Sequence, residues 1–240
     1  MNLKNKTAVI TGATGGMGRE IVTRLDNEGA SLILVSKTES ELQNLIKKLS
    51  GKNHKYYACD FYELKDSEKV ARLVASENET IDVLINAAGI GIYKIIEELT
   101  LDEWNLSMNI NLNSVFIFIK ELVSRLNNSE GSVVVSLGSG MGVKAEPERS
   151  AYCTSKFALR GLMLTLSEEY KRFNKPNFCL LTLGSVLTSF GPMSMDEKKK
   201  SMESGKGYLT PDWVAEKVVE IIKSENREAE YEFSSPDYNL

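Results

Sequence analysis

The 240-residue chain sets 29 lysines and arginines against 33 aspartates and glutamates, a net charge of −4, and is 42% hydrophobic and 26% charged. That balance is ordinary for a soluble globular protein. Without a concentrated basic stripe, it argues against nucleic acid or an anionic membrane as partner. The length suits one large α/β domain with a full core and is short for two.

No apolar run approaches the roughly 20 residues of a membrane helix. The start, Met1 to Lys6, leads directly into Thr7-Ala8-Val9-Ile10 without the apolar stretch of a signal peptide, so a cytoplasmic protein is expected. Cys59, Cys153 and Cys179 lack metal-type spacing. Cys59 and Cys179 lie in strand-like runs and read as buried thiols, whereas Cys153, beside Tyr152, reads as the more accessible one. The only histidine, His54, follows Gly51-Lys52-Asn53 and reads as a solvated loop residue. A catalytic metal is therefore not expected.

In chain order, short β-branched or apolar runs predict strands over 8–11, 32–35, 56–59, 83–86, 133–137, 178–183 and 231–233. Between them, Ile21 and Leu25, then Leu42, Leu45 and Leu49, repeat at helical spacing. Longer helices are predicted over 101–126, 150–173 and 211–224, the last with Thr210 as N-cap and Pro211 in its first turn. Alternating β and α units with fully apolar strands predict a single-domain α/β fold, a doubly wound parallel sheet of about seven strands. The segment 188–210 is the longest irregular stretch and reads as a lid, apolar and adaptable through Phe190, Met193, Met195, Met202 and Tyr208. Within it, Lys198-Lys199-Lys200 reads as a solvated helix face.

Two clusters carry chemistry. The first strand runs into Thr11-Gly12-Ala13-Thr14-Gly15-Gly16-Met17-Gly18, where a helix begins. Glycines there allow a tight turn and close backbone approach to a pyrophosphate, which the helix N-terminus favours. A strand before and a helix after point to a dinucleotide site. Tyr152 and Lys156, four residues apart, share one helix face. A cation there would favour the phenolate and bring the tyrosine towards a useful pKa.

Together these motifs resemble the short-chain dehydrogenase/reductase family over nearly the whole chain. The pattern Thr-Gly-x-x-x-Gly-x-Gly stands at Thr11 to Gly18, and Asn86-Ala87-Ala88-Gly89 follows the fourth strand. Ser139 lies thirteen residues before Tyr152, and Asn111 sits in Met108-Asn109-Ile110-Asn111-Leu112-Asn113. The resemblance implies a Rossmann-type fold and a Ser139-Tyr152-Lys156-Asn111 active site. Ser139 would hold the carbonyl oxygen and Tyr152 would move the proton. Lys156 would lower the tyrosine pKa and bind the nicotinamide ribose, and Asn111 would hold a water leading to solvent. The bland alternatives are a turn serine at 139 and a helix-packing asparagine at 111.

The resemblance also assigns cofactor contacts to Gly12, Thr14, Gly15, Gly16, Met17, Gly18, Asn86, Ala87, Ala88, Gly89, Tyr152 and Lys156. It adds Asp60 and Phe61 after the third strand, and Gly184, Val186 and Thr188 after the sixth. One departure is Leu183, where the family often has proline. At the end of the second strand Ser36 and Lys37 replace the carboxylate that usually selects NAD, so NADP(H) is favoured and NAD(H) is the alternative.

The expected reaction is interconversion of a small-molecule carbonyl and a secondary alcohol. A 3-oxoacyl-thioester reductase and a non-catalytic NADP(H)-sensing regulator are the alternatives. By resemblance a homodimer or homotetramer is expected, paired through helices carrying Val115, Phe116, Phe118, Leu159, Leu162 and Leu166.

Overall fold

Successive side chains of a strand point to opposite faces of its sheet, and here both sets are apolar. In β1 (Thr7–Thr11), Ala8 and Ile10 join one core and Val9 the other. The same split separates Leu32 and Leu34 from Ile33 and Val35 in β2 (Ser31–Ser36), and Val83 and Ile85 from Leu84 in β4 (Val83–Asn86). Strands buried on both faces need helices on both sides, the condition for a doubly wound parallel sheet. The computed structural model, which describes residues 1–51, 53–173 and 175–235, has that architecture. With β3 (Lys55–Ala58), β5 (Val133–Leu137), β6 (Asn177–Leu183) and β7 (Glu230–Phe233), the order is β3-β2-β1-β4-β5-β6-β7, and every neighbouring pair is parallel.

One face is covered by α1 (Gly16–Asn27), α2 (Glu39–Ile46) and α8 (Pro211–Lys223), through Ile21, Leu25, Leu42, Val214 and Val218. The other is covered by α3 (Leu64–Glu77), α5 (Ser114–Asn127) and α6 (Ser150–Lys171), through Val70, Val74, Phe118, Leu122 and Met163. Phe118 is fully buried there, and truncating such a ring to alanine costs about 3–5 kcal/mol. At the start of α8 the Thr210 hydroxyl accepts the Trp213 N–H at 3.3 Å, satisfying one of the helix's orphan donors.

Four local expectations change. The helix predicted over 101–126 is two, α4 (Leu101–Met108) and α5, joined by a π turn over Asn109–Asn113. A π turn adds one residue to a turn without ending the helix, so the apolar periodicity reads straight through it. The segment 188–210 contains α7 (Met195–Glu203), opened by a capping box in which Ser194 and Glu197 satisfy each other's backbone. The His54 side chain is buried: its Nδ1 accepts the Leu32 N–H at 3.1 Å and its Nε2 donates to Asp26 at 2.9 Å. Cys153 is buried as well, and the thiols of Cys59 and Cys179 are pushed by burial up to about 12. The predicted last strand is present as β7, while residues 236–240 of the tail lie outside the described residues.

The chain winds outward from β1 to β3, then returns to place β4 beside β1 and winds the other way. In such sheets the crevice for ligands opens at the C-terminal ends of the strands flanking this reversal. The two strand ends are stitched there by the Ala87 N–H on the Thr11 carbonyl at 3.2 Å.

Candidate active site

At the reversal point the glycine turn presses against the end of β4. Gly12 has φ +66°, and a Cβ on it would stand 2.5 Å from the Ala88 nitrogen. A Cβ on Gly18 would stand 2.1 Å from the Gly12 carbonyl oxygen, so α1 starts directly behind the turn. Gly15 and Gly16 are exposed. No side chain caps α1, and its first turn carries no carboxylate. Free N–H groups on an uncapped helix start, under a turn too tight for side chains, fit a pyrophosphate. The turn is tied to β2 by Thr14, whose hydroxyl lies 2.7 Å from that of Ser36.

A second group of residues gathers beyond β5. Ser139 caps a short 3-10 turn over Gly140–Gly142, its hydroxyl accepting the Met141 N–H at 3.1 Å. The turn lies on α6: a Cβ on Gly142 would meet the Lys156 carbonyl oxygen at 2.8 Å. Only glycine permits that approach, which brings Ser139 to the Tyr152 phenol on the first turns of α6. Burial raises the Tyr152 pKa well above its ordinary value, and the neighbouring Ser139 hydroxyl works in the opposite direction. Lys156 is buried behind it, donates to the Leu137 carbonyl at 2.9 Å, and is driven by burial down to about 8. The phenol is therefore not lowered in the free protein as the sequence suggested.

Asn111 lies in the π turn and is fully buried. Its carbonyl oxygen accepts the Ile90 N–H at 2.8 Å, and its amide donates to the Ile90 carbonyl at 3.0 Å and to the Ser155 hydroxyl at 3.0 Å. Ser155 in turn donates to the Tyr152 carbonyl at 2.7 Å. The side chain thus clamps the loop after β4 to the helix that carries Tyr152. Its side-chain oxygen and amide are thereby engaged with protein partners.

Tyr152 is walled by two rings, Tyr93 at 5.7 Å edge-on and Phe190 at 5.7 Å tilted. The Arg149 guanidinium covers the outer face of Tyr93 at 4.7 Å and pairs with Glu146. Both lie in stretches, 90–94 and 140–149, that sequence reading expects to wall the pocket, but neither belongs to a short motif that would single it out. The residue that sequence reading misplaces is Lys198, read as solvated but buried, with Nζ 2.6 Å from both the Thr188 and Phe190 carbonyl oxygens.

At the outer end of the crevice Lys37 is exposed and pairs with Asp60 at 2.8 Å. Burial works against the Asp60 carboxylate, but the Lys37 ammonium and the Tyr62 N–H hold its pKa below the usual range. Phe61 turns its ring into the core, 6.0 Å from Phe118, so only its backbone is available to a ligand. Asn86 is buried and donates to Ser136 at 3.1 Å, while its Oδ1 accepts no hydrogen bond. Val186 pairs with Leu209 and Gly184 with Phe233, so the strand-six loop is braced despite Leu183 replacing proline.

The sequence and fold match known proteins. The short chain dehydrogenase family profile covers residues 6–198. A D-threitol dehydrogenase from Mycolicibacterium smegmatis is 30% identical over 221 residues, 89% of this chain and 84% of its own. An NAD-dependent glycerol dehydrogenase from Listeria innocua is 26% identical over 220 residues, 89% of this chain and 85% of its own. Among solved structures, an alcohol dehydrogenase from Thermococcus sibiricus complexed with 5-hydroxy-NADP superposes with a TM-score of 0.84 at 28% identity, covering 98% of both chains. The chain therefore belongs to the short-chain dehydrogenase family and is an NAD(P)-dependent oxidoreductase.

Proposed function

We propose that this protein interconverts a ketone and a secondary alcohol with NADP(H), using Ser139, Tyr152, Lys156 and Asn111. The observation that carries the reading is the convergence of Ser139 and Tyr152 under the Tyr93 and Phe190 rings, with the Lys156 ammonium buried behind. A bound nicotinamide supplies the hydride in reduction and takes it in oxidation. With its oxygen accepting the Met141 N–H, the Ser139 hydroxyl would turn its proton from Tyr152 to the substrate oxygen when substrate binds. Tyr152 donates a proton to that oxygen in reduction and removes it in oxidation. Lys156 offsets the negative charge on the phenolate, and Asn111 holds the loop and helix that frame them. The two rings exclude water and favour a carbonyl on a partly apolar skeleton.

For the cofactor, the uncapped start of α1 would hold the pyrophosphate, and Lys37 the 2′-phosphate. No carboxylate occupies the end of β2, where one would select NAD. Asp60 competes for the same ammonium, so the preference for NADP(H) is modest. The complex of the Thermococcus relative with 5-hydroxy-NADP is consistent with this.

Assembly as a homodimer or homotetramer is part of the same reading. Of the residues expected to mediate it, Val115, Phe118 and Leu159 are buried in the core. Phe116 on α5 and Phe157 on α6 are the exposed rings that would pair. The function is tested with a panel of ketones, acyl thioesters and sugars, following reduced-nicotinamide absorbance with NADPH and NADH in parallel. Tyr152→Phe should abolish turnover of any hit while leaving cofactor affinity near wild type. Unchanged turnover in that variant would sink the assignment.

A further inference from the structure

Lysine is rarely buried without an anionic partner. Lys198 on α7 is buried, and among the described residues none forms an ion pair with it. Two of its three N–H donors instead hold main-chain oxygens of one short loop, Thr188 and Phe190, each at 2.6 Å. That loop faces both halves of the crevice. The Thr188 methyl would stand 2.9 Å from a Cβ on Gly16, against the pyrophosphate turn. Phe190 lies against Tyr152, and its ring edge would stand 2.8 Å from a Cβ on Gly91.

The loop is fastened independently at its stem. Val186 bridges Leu209, the Leu187 N–H donates to the Leu209 carbonyl at 2.9 Å, and the Leu209 N–H donates to Ser185 at 2.8 Å. Lys198 is thus a connection from the lid helix to the tip of the loop. Desolvating an ammonium for two carbonyls is poor value for stability alone, and burial lowers the Lys198 pKa. Its neighbours Lys199 and Lys200 on the same helix are exposed.

We propose that Lys198 is a positioning residue, a latch through which α7 sets Thr188 against the cofactor turn and Phe190 against Tyr152. The inference rests on the carbonyl–alcohol reading for the role of Tyr152, whereas the latch itself can be measured without turnover. Docking α7 and ordering the two contacts are then one event, because one ammonium holds both carbonyls. Lys198→Met keeps the stem and removes the donors.

Hydrogen exchange of cofactor-free Lys198→Met should show peptides covering 186–193 opening at least about tenfold faster, with the sheet strands unchanged. Lys199→Met should leave the same peptides at wild-type rates. On a substrate found with the wild-type enzyme, Lys198→Met should lower kcat about tenfold with a smaller change in KM, since misplacement of Phe190 acts on the reacting geometry. Exchange unchanged at 186–193, or raised uniformly through the sheet as for a packing defect, overturns the latch. Acetylation of the unmodified protein followed by mass spectrometry needs no variant to fold. Lys198 should react at least about tenfold more slowly than Lys199 and Lys200, and equal reactivity overturns the proposal.

Discussion

Lys156 Nζ donates to the Leu137 carbonyl at 2.9 Å and stands 5.9 Å from the centre of the Tyr152 ring. The ammonium is therefore committed to the end of β5. Burial moves the two groups in opposite directions, the phenol up and the ammonium down, and both shifts favour the neutral form. That is the signature of desolvation rather than of ion pairing, which would have favoured both charged forms. The consequences of this desolvation can be measured.

The raised phenol sets the direction of pH dependence. Reduction needs Tyr152 protonated, which it is throughout the neutral range, so kcat/KM for a ketone should stay flat between about pH 6 and 8. Oxidation needs the phenolate, so kcat/KM for the alcohol should climb up to about tenfold per pH unit below the tyrosine pKa. An oxidation profile flat from about pH 7 to 9 would contradict Tyr152 as the base.

Lys156 should trade stability for activity. Its folded pKa of about 8 lies below the ordinary 10.5, so between these values the unfolded chain binds more protons and stability rises with pH. Below the folded value the full cost applies, about 3 kcal/mol before offsetting contacts. Lys156→Met should be at least as stable as wild type at neutral pH in thermal melts, with the advantage shrinking in alkaline buffer. Turnover should fall at least about a hundredfold. A variant clearly less stable than wild type at neutral pH would show that the buried charge carries no net cost.

Lys37 and Asp60 divide the cofactor preference between them. Lys37→Ala should weaken NADPH by about five- to tenfold, the worth of one exposed charge-assisted contact, and leave NADH unchanged. Asp60→Asn frees the ammonium and should tighten NADPH several-fold. Calorimetric titration of both cofactors checks this. Tighter NADH than NADPH binding by the wild type would refute the cofactor assignment.

Asn111 is expected to matter for stability as well as turnover. Asn111→Ala leaves the Ile90 N–H and carbonyl without their partner. Orphaning a part-buried backbone pair costs about 1–3 kcal/mol. Urea denaturation should show a lower midpoint at an unchanged slope. A variant with wild-type stability would mean that the clamp is dispensable.

The fold was legible because its signals are local. Short apolar runs such as Ala8-Val9-Ile10, and the Thr210-Pro211 helix start, depend on neighbours in sequence. So do Gly12, whose φ of +66° favours glycine, and Gly18, on which a Cβ would meet the Gly12 carbonyl oxygen. The π turn at Asn109–Asn113 was not legible, because a one-residue insertion barely disturbs helical periodicity. Nor was His54, whose partners Asp26 and Leu32 lie more than twenty residues away in the chain.

By itself, the sequence determined the alternation of strands and helices, the glycine turn after β1, and the spacing that puts Tyr152 and Lys156 on one helix face. The tertiary structure decided the quantities that depend on surroundings. Desolvation by distant segments shifts the Tyr152 pKa up and the Lys156 pKa down, and the approach of α7 buries Lys198 within a run of lysines. Residue types fix which groups are available, whereas burial and partners, brought by chain folded from elsewhere, fix what those groups do.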